Sequence, residues 1–254
     1  NMSFAVPTEF VELPSQGKFY PEDHPLHQQE TVEVRFMTAK DEDIISSDSL
    51  IKKGLVIERL LASLLVEDID PTTLLIGDRN AILIAARISG YGSDYDLSYR
   101  CSGCFMVSEK TYDLKGALIE DNCLDSVFLK RNNLTYDSST RTFDLKLPTS
   151  GVVVGLKLLD GQDEKSLSAE DKETQNRIVT SMLNTVIAKV NDESDPGYIN
   201  DFIEAMPVKD SKFIRDIYPS LAPRVRLVDE FVCPKCYREE EMEVPLNAGF
   251  FWPG

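Results

Sequence analysis

Four cysteines form two C-x-x-C pairs, Cys101/Cys104 and Cys233/Cys236, that lie far apart in the chain. Residues typical of β-strands flank each pair, so each pair predicts a tight turn between two strands, called a knuckle below. Two knuckles supply the four thiolates that a tetrahedral structural zinc ion needs. If both pairs bind one zinc ion, the site joins two distant parts of the chain. Because such a site has no open coordination position, we expect it to be structural and not catalytic.

Two other interpretations of these cysteines stay open. An iron site of the rubredoxin type has the same ligands, although its knuckles usually carry glycine after the second cysteine, where Phe105 and Tyr237 stand here. Separate redox-active motifs are disfavoured because neither pair opens a helix after a strand, where the helix dipole would lower the thiol pKa. The fifth cysteine, Cys123, lies outside both pairs and is interpreted as a free buried thiol.

No other pattern predicts catalysis. The two histidines, His24 and His27, lie in a turn-rich segment and are interpreted as exposed loop residues, with no spacing that supports a catalytic triad. Neither of the common glycine-rich phosphate-binding motifs occurs. Runs of carboxylates such as Glu239-Glu240-Glu241 are typical of solvated faces. We therefore predict no catalytic and no cofactor-binding residues, and a protein that is not an enzyme.

Composition narrows the function further. The chain has 254 residues, of which 42% are hydrophobic and 28% charged, enough for a packed core. Its net charge of −16 argues against nucleic acid and against an anionic membrane surface, because phosphate contacts need Lys and Arg. The negative charge is explained by solubility or, alternatively, by the binding of a basic protein partner.

No apolar run approaches the roughly 18–20 residues of a membrane helix, so we expect no stable membrane insertion. No signal peptide is found, and C-x-x-C pairs then indicate a reducing compartment.

The elements that position the first knuckle follow from the hydrophobic periodicity. A strand is predicted over 31–37, an amphipathic helix over 50–65 and a buried helix over 77–89, followed by a strand that leads to the knuckle. Thr38 is predicted to cap a helix, and Asp41, three residues later, gives an approximate capping box.

The second half of the chain predicts a similar order. A strand over 152–158 precedes a long helix over 168–190, two short helices near 198–205 and 208–217, and a strand over 225–232 that leads to the second knuckle. We therefore predict an α+β fold of two related lobes that arose by internal duplication and are joined by a zinc-ribbon-like site. Chance resemblance between the two halves is the alternative.

The predicted organisation has four parts. They are an N-terminal arm at 1–30, a first lobe at 31–115, an inserted connector at 116–150, and a second lobe with an aromatic C-terminus at 151–254. Within the connector, 127–129 and 142–147 predict the two strands of a hairpin. The loop 13–21 is either a packed segment or a strap that contacts a partner. The terminal aromatic residues 250–252 either pack into the core or dock on a partner.

Several motifs occur in an order that resembles a bacteriophage family. They are Leu-Pro-Ser-x-Gly-x-x-Tyr (13–20), Met37-Thr38-x-x-x-Glu42, Leu-Leu-Ile-Gly-Asp-Arg-Asn (74–80), Arg-Ile-x-Gly-Tyr-Gly (87–92), the two knuckles and the terminal Phe-Phe-Trp-Pro. The chain resembles the baseplate hub and hub-assembly proteins of T-even-type bacteriophages. The resemblance covers roughly 10–115 and 195–253.

The resemblance implies a viral structural or assembly role. Such a protein helps to build the central hub of the tail baseplate, either as a component of the virion or as a factor that does not remain in it. It would act in the cytoplasm of the host cell by binding other hub proteins, and no catalytic residues come with the resemblance. Two rival functions stay open: a zinc- or thiol-dependent enzyme that acts on tail proteins, and a zinc-ribbon nucleic-acid binder.

Overall fold

The computed structural model describes residues 4–121, 124–168, 177–244 and 248–251. Within them the helices are α1 (Ala39–Ile45), α2 (Asp48–Lys53), α3 (Val56–Leu64), α4 (Ile76–Tyr91), α5 (Ser126–Arg131), α6 (Gly161–Ser168), α7 (Ile178–Val186), α8 (Pro196–Glu204) and α9 (Val208–Ile217). The strands are β1 (Thr8–Glu12), β2 (Thr31–Arg35), β3 (Asp94–Arg100), β4 (Val107–Asp113), β5 (Leu118–Glu120), β6 (Leu134–Asp137), β7 (Thr142–Lys146), β8 (Val153–Leu156), β9 (Ile187–Val190), β10 (Arg224–Arg226), β11 (Val228–Val232) and β12 (Glu239–Glu243). Short 3-10 helices lie at Pro71–Thr73, Leu114–Gly116, Tyr218–Ser220 and Ala248–Phe251.

The strands of these described residues form five antiparallel sheets. Four sheets are two-stranded pairs: β1 with β2, β3 with β4, β5 with β10, and β11 with β12. The fifth has the order β6-β7-β8-β9. Helices and antiparallel strands thus share the chain, which confirms the predicted α+β class.

The first hydrophobic core collects residues from both halves of the chain around α4. The centre of α4 is buried on most sides, as its apolar run predicted. Helix α3 faces the core with Leu60, Leu61 and Leu64, one side of an amphipathic helix. Other buried members are Val11, Tyr20, Leu26, Val32, Val34, Leu114, Leu227, Met242, Phe250 and Phe251. The loop 13–21 and the aromatic residues Phe250 and Phe251 are therefore packed segments.

The second hydrophobic core is built around the four-stranded sheet, with α7, α8 and α9 packed against it. Strand alternation places Phe143 and Leu145 of β7 on one face, directly opposite Leu156 and Val154 of β8. All four side chains are at most 1% exposed. Apart from Phe19, the buried members of this core lie between Leu134 and Leu221 in the sequence.

The chain leaves the first core and returns to it on paired strands. Strand β5, which leads toward the second core, pairs antiparallel with β10, which leads back from it. The second core is therefore an insertion within the first. Because β5 and β10 are neighbours, the hairpin β3-β4, which precedes β5, and the hairpin β11-β12, which follows β10, both belong to the first core.

The hydrophobic packing groups residues differently from the predicted lobes. A boundary at 150 falls in the turn between β7 and β8, where the Leu147 amide donates to the Val152 carbonyl at 2.8 Å. The two strands belong to one core because they pair directly. The division at 31–115, 116–150 and 151–254 and the internal duplication stay predictions.

Two predicted helices are wrong for physical reasons. The helix over 50–65 is interrupted at Gly54, whose left-handed φ of 68° ends α2 before α3 begins. In the described part of the helix over 168–190, α7 ends at Val186, and the following residues pair with β8 as strand β9. Periodicity could not separate a helix from a strand at 187–190, because β-branched residues occur both in buried helices and in strands.

The first strand predicted for the connector hairpin, 127–129, is helical. Asp125 caps α5 by accepting a hydrogen bond from the Val127 amide at 2.7 Å. The hairpin itself consists of β6 and β7. A short apolar run such as 127–129 fits either a strand or a helix, and the N-cap residue Asp125 before it favours the helix.

The predicted capping box at the start of α1 is confirmed and is part of a buried network. The fully buried Asp41 carboxylate accepts from the Thr38 amide at 2.7 Å and from Ser63 Oγ at 2.7 Å. The Arg35 guanidinium binds both carboxylate oxygens, at 2.9 and 3.0 Å. Burial acts to raise the pKa of Asp41, but these hydrogen bonds outweigh it and lower the pKa to about 2.

We expect Asp41→Asn to lower the free energy of unfolding by about 2 kcal/mol at pH 6, since the amide cannot accept all of these hydrogen bonds. Because the folded pKa lies below the unfolded value, the contribution is complete above about pH 4 and declines as pH falls toward 2. The difference between the two proteins should therefore shrink in urea denaturation at pH 3. The matched control is Asp43→Asn, an exposed position on the same helix. A difference that stays constant with pH contradicts this account.

Candidate metal centre

The first knuckle is a turn between β3 and β4, which pair up to Arg100 and Val107. The Cys101 amide donates to the Met106 carbonyl at 3.0 Å, and the Phe105 amide donates to the Cys101 carbonyl at 3.0 Å. The Gly103 amide points at Cys101 Sγ, 3.4 Å away. This turn brings both cysteine side chains to the same side.

The second knuckle repeats this geometry between β11 and β12. The Cys233 amide donates to the Arg238 carbonyl at 2.9 Å, and the Tyr237 amide donates to the Cys233 carbonyl at 2.9 Å. Tyr237 has φ of 59°, and Phe105, its equivalent in the first knuckle, has φ of 60°. Both knuckles thus adopt the left-handed conformation after the second cysteine without glycine.

The four sulfurs meet in one cluster. All four Sγ atoms of Cys101, Cys104, Cys233 and Cys236 lie within 4.8 Å of one another. The pairs Cys101–Cys236 and Cys104–Cys233, which cross between the knuckles, are each 3.6 Å apart. Sulfurs at the corners of a tetrahedron with metal–sulfur distances of about 2.3 Å are about 3.8 Å apart. The four residues therefore fit a tetrahedral metal ion.

The acid–base properties of the cysteines agree with a cation between them. The Cys236 amide lowers the pKa of the Cys233 thiol to about 6, with a further contribution from the Lys235 amide. The Arg238 amide acts in the same direction on Cys236, but burial and the three neighbouring sulfurs raise the pKa of that thiol to about 12. Four adjacent thiols cannot all ionise without a positive charge among them. A divalent metal ion would supply that charge.

Glu240 joins the two knuckles, and the sequence interpretation missed it. Its carboxylate accepts hydrogen bonds from the Tyr99 hydroxyl and from the hydroxyl and amide of Ser102, and it pairs with Arg238 at 3.0 Å. The hydrogen bond from Tyr99 is the main cause of the lowered pKa of Glu240. The run Glu239-Glu240-Glu241 was predicted to be a solvated face, which is wrong for Glu240, whose side chain is 16% exposed. Strand alternation was the available signal, because it places Glu240 on the same face as the buried Met242.

Further contacts fix one hairpin against the other. Lys110 of β4 forms an ion pair with Asp229 of β11 at 2.7 Å and donates to the Glu230 carbonyl at 2.6 Å. The rings of Tyr99 and Phe231 lie 3.6 Å apart between their centroids. Phe231, Cys101 and Cys233 form a small buried cluster of their own. The protein thus positions the sulfurs by packing as well as by the turns.

Two of the sequence motifs meet in a buried network away from the cysteines. Asp78, in the first turn of α4, accepts hydrogen bonds from the Ser15 amide at 3.0 Å, the Ser15 hydroxyl at 2.5 Å and the Tyr20 hydroxyl at 2.7 Å. Burial raises the pKa of Asp78, and burial together with Asp78 raises the pKa of Tyr20. Gly17 has φ of 69°, and a Cβ there would lie 2.3 Å from the Gln29 amide nitrogen. The motif residues between 13 and 20 therefore fix the N-terminal loop to α4.

Two further motifs meet at Arg87. Its buried guanidinium donates to the carbonyls of Phe250 at 2.8 Å, Gly92 at 2.6 Å and Asp94 at 3.1 Å. Phe250 is 1% exposed and packs on Tyr95, with ring centroids 5.4 Å apart. Of the two alternatives for the terminal aromatic residues, packing into the core is the one that the structure shows for Phe250 and Phe251. Trp252 lies outside the described residues.

The histidines are structural rather than exposed, which corrects the sequence interpretation. His24 stacks on Tyr20 with centroids 4.4 Å apart, and its Nε2 is 2.8 Å from Thr73 Oγ1. Burial lowers the pKa of His24. His27 Nδ1 lies 2.8 Å from the Tyr20 carbonyl oxygen. The expectation that Cys123 is a free buried thiol concerns a residue outside the described ones.

The comparisons with known proteins give one family. The family model described as T4 bacteriophage base plate protein matches residues 6–252. No curated protein and no solved structure matches the chain. Among the described helices, none combines the length and the apolar character needed to cross a membrane.

Proposed function

Since this chain belongs to the T4 bacteriophage base plate protein family, we propose that it helps to build the central hub of the tail baseplate by binding other hub proteins. In this proposal Cys101, Cys104, Cys233 and Cys236 hold one structural zinc ion. The protein would act in the cytoplasm of the host cell and either stay in the virion or leave after assembly. The family match over nearly the whole chain supports the baseplate role.

The four-sulfur geometry supports the zinc. Zinc would supply positive charge to the thiolates and a covalent link between the hairpins β3-β4 and β11-β12. With four protein sulfurs, such a site leaves no position for a substrate, which favours a structural role over an enzymatic one. Iron would take the same ligands, and elemental analysis of the purified protein distinguishes the two metals.

The fold changes which surfaces are free for partners. Leu13 and Tyr20 of the loop 13–21 are buried in the first core with Phe250 and Phe251, and Phe19 is buried in the second core, so these residues support the fold. What remains accessible around the metal centre is the outer surface of the two knuckles. The net charge of −16 continues to disfavour the nucleic-acid alternative.

Three measurements test the proposal. We expect the purified full-length protein to contain one zinc per chain, with four thiols protected from modification, and to co-purify with identified tail proteins from infected cells. A thiol-dependent enzyme would instead show a reactive cysteine. A nucleic-acid binder would slow the migration of DNA in a gel-shift assay in a salt-dependent manner. Absence of any complex with tail proteins contradicts the baseplate role.

We expect Glu240→Ala to accelerate zinc release because Tyr99 and Ser102 lose the carboxylate that aligns the two knuckles. Mutation of a residue that orients metal ligands typically lowers metal affinity by about 10–100-fold. The rate is measured by competition with a coloured chelator. Glu239→Ala, at the exposed neighbouring position, is the matched control. Equal release rates for the two variants would show that Glu240 has no such role.

A further inference from the structure

The sulfur cluster brings cysteines of different knuckles into direct contact. Cys101 Sγ lies 3.6 Å from Cys236 Sγ, and Cys104 Sγ lies 3.6 Å from Cys233 Sγ, each pair in the geometry of a hydrogen bond between two thiols. We call these two pairs the cross-knuckle pairs. The S–S bond of a disulfide is about 2.05 Å long, so each pair has to close by only about 1.5 Å to form one.

Each cross-knuckle pair combines a buried sulfur with a more accessible one. Cys101 and Cys233 are 0% exposed, whereas Cys236 is exposed and Cys104 is partly exposed. An oxidant in the solvent therefore reaches one cysteine of each pair, and the buried partner lies beside it. A sulfenic acid formed on an accessible cysteine condenses with a neighbouring thiol to a disulfide. Each pair thus has both cysteines that this reaction needs.

The cross-knuckle pairs join parts of the chain that are far apart in sequence. The two cysteines are separated by 135 residues in one pair and by 129 in the other. A disulfide in either pair links the hairpin β3-β4 to the hairpin β11-β12, as the proposed metal ion does. Closing a loop of this length strongly restricts the unfolded chain. A disulfide within one knuckle closes only a short loop and leaves the hairpins unlinked.

The two hairpins are also held together by contacts that do not involve sulfur. Lys110 forms an ion pair with Asp229 at 2.7 Å, and the rings of Tyr99 and Phe231 lie 3.6 Å apart between their centroids. Glu240 of β12 accepts a hydrogen bond from the Tyr99 hydroxyl of β3. These contacts favour the same arrangement of the hairpins with and without a metal ion, so the cross-knuckle pairs stay aligned when the metal is removed.

We propose that both cross-knuckle pairs form disulfides when the metal ion is lost to an oxidant, and that these disulfides keep the two knuckles joined. This inference rests on the proposed metal site and adds a second, disulfide-bonded state of it. The oxidant is a peroxide. Cytosolic thiols are kept reduced, whereas disulfides persist outside the cell, so the second state suits a tail protein that leaves the host cell in the virion.

The reaction balances within each pair. Peroxide oxidises the accessible thiol to a sulfenic acid: an S–O bond forms, the O–O bond breaks and one water leaves. The buried sulfur then attacks the sulfenic sulfur, so that the S–S bond forms and the S–O bond breaks. The hydroxide takes the proton of the buried thiol and leaves as a second water. The two electrons that the pair of sulfurs loses reduce one peroxide molecule.

Disulfide mapping tests the pairing. The purified full-length protein is freed of metal with EDTA under reducing conditions, transferred to buffer without reductant and treated with hydrogen peroxide. Mass spectrometry of unreduced peptides should find both cross-knuckle disulfides, and the intact mass should fall by about 4 Da for the four hydrogen atoms lost. The Cys123→Ser variant, which lacks the fifth thiol, should give the same map. Disulfides within a knuckle, disulfides between two chains, or sulfinic acids without disulfides overturn the inference.

The unfolding midpoint tests whether the disulfides keep the knuckles joined. The oxidised, metal-free protein should have a Tm about 10 °C above that of the reduced, metal-free protein, and dithiothreitol should abolish this gain. The control is Cys101→Ser/Cys104→Ser, which keeps the cysteines of one knuckle only, so peroxide should not raise its Tm. An oxidised wild-type protein without any gain in Tm overturns the inference.

The outcome for the metal is separate. A purified protein that binds no metal contradicts the proposed zinc site. A protein that binds zinc but forms no cross-knuckle disulfide contradicts only this inference.

Discussion

Replacing Cys233 with serine should reduce the zinc of the proposed site from one ion per chain to nearly none. It should also lower the free energy of unfolding by roughly 5 kcal/mol, because structural zinc contributes its binding energy to folding. Cys233 is fully buried and its sulfur lies 3.6 Å from Cys104 Sγ, so a hydroxyl cannot replace it in the cluster. Zinc analysis and urea denaturation measure the two effects. We expect the damage to concentrate in the hairpins, where amide exchange over 99–107 and 231–240 should accelerate most.

The second core should survive this substitution, because its sheet and helices share no residue with the metal cluster. Cys123→Ser is the control, since it removes a thiol that is not one of the four predicted ligands. Treatment of the wild-type protein with EDTA should lower its free energy of unfolding as much as Cys233→Ser does. EDTA should not lower the stability of the Cys233→Ser variant further. A wild-type protein that keeps its unfolding midpoint after complete zinc removal would contradict the structural role of the metal.

Replacing Asp78 with alanine should lower the free energy of unfolding by about 4 kcal/mol. The substitution leaves the Ser15 amide and hydroxyl and the Tyr20 hydroxyl without their buried acceptor. Asp78 is 1% exposed, so water does not readily take its place. The N-terminal loop should detach from α4, which amide exchange of residues 13–29 would detect. Denaturation with urea gives the change in the free energy of unfolding.

Two variants sharpen this prediction. Tyr20→Phe removes one of the three hydrogen bonds to Asp78 and the acceptor of the Leu75 amide, and it should lower the free energy of unfolding by about 2 kcal/mol, less than Asp78→Ala does. Asp68→Ala, an exposed position between α3 and the 3-10 helix Pro71–Thr73, should change the stability very little. A loss for Asp78→Ala no larger than that for Asp68→Ala would show that the network does not hold the loop.

The motifs that carry the family resemblance are explained mainly by folding. Ser15 and Tyr20 of one motif bind Asp78 of another, and Arg87 of a third binds the Phe250 carbonyl of the last. Residues far apart in the sequence therefore form pairs in the first core.

Local signals in the sequence predicted much of the fold. The spacing of the cysteines identified all four members of the sulfur cluster, and Thr38 with Asp41 identified a helix start. Helix α9 has the predicted bounds of 208–217. Such features depend on residues within a few positions of one another, where the backbone geometry is nearly fixed by residue type.

The sequence by itself thus determined the α+β class and the two cysteine knuckles. Only the tertiary structure decided how the knuckles meet, because β5 and β10 pair across the inserted second core. It also decided that residues 187–190 are a strand and that Glu240 aligns the knuckles. These outcomes depend on contacts between residues distant in the chain, and the energy of such contacts cannot be read from the local spacing of residue types.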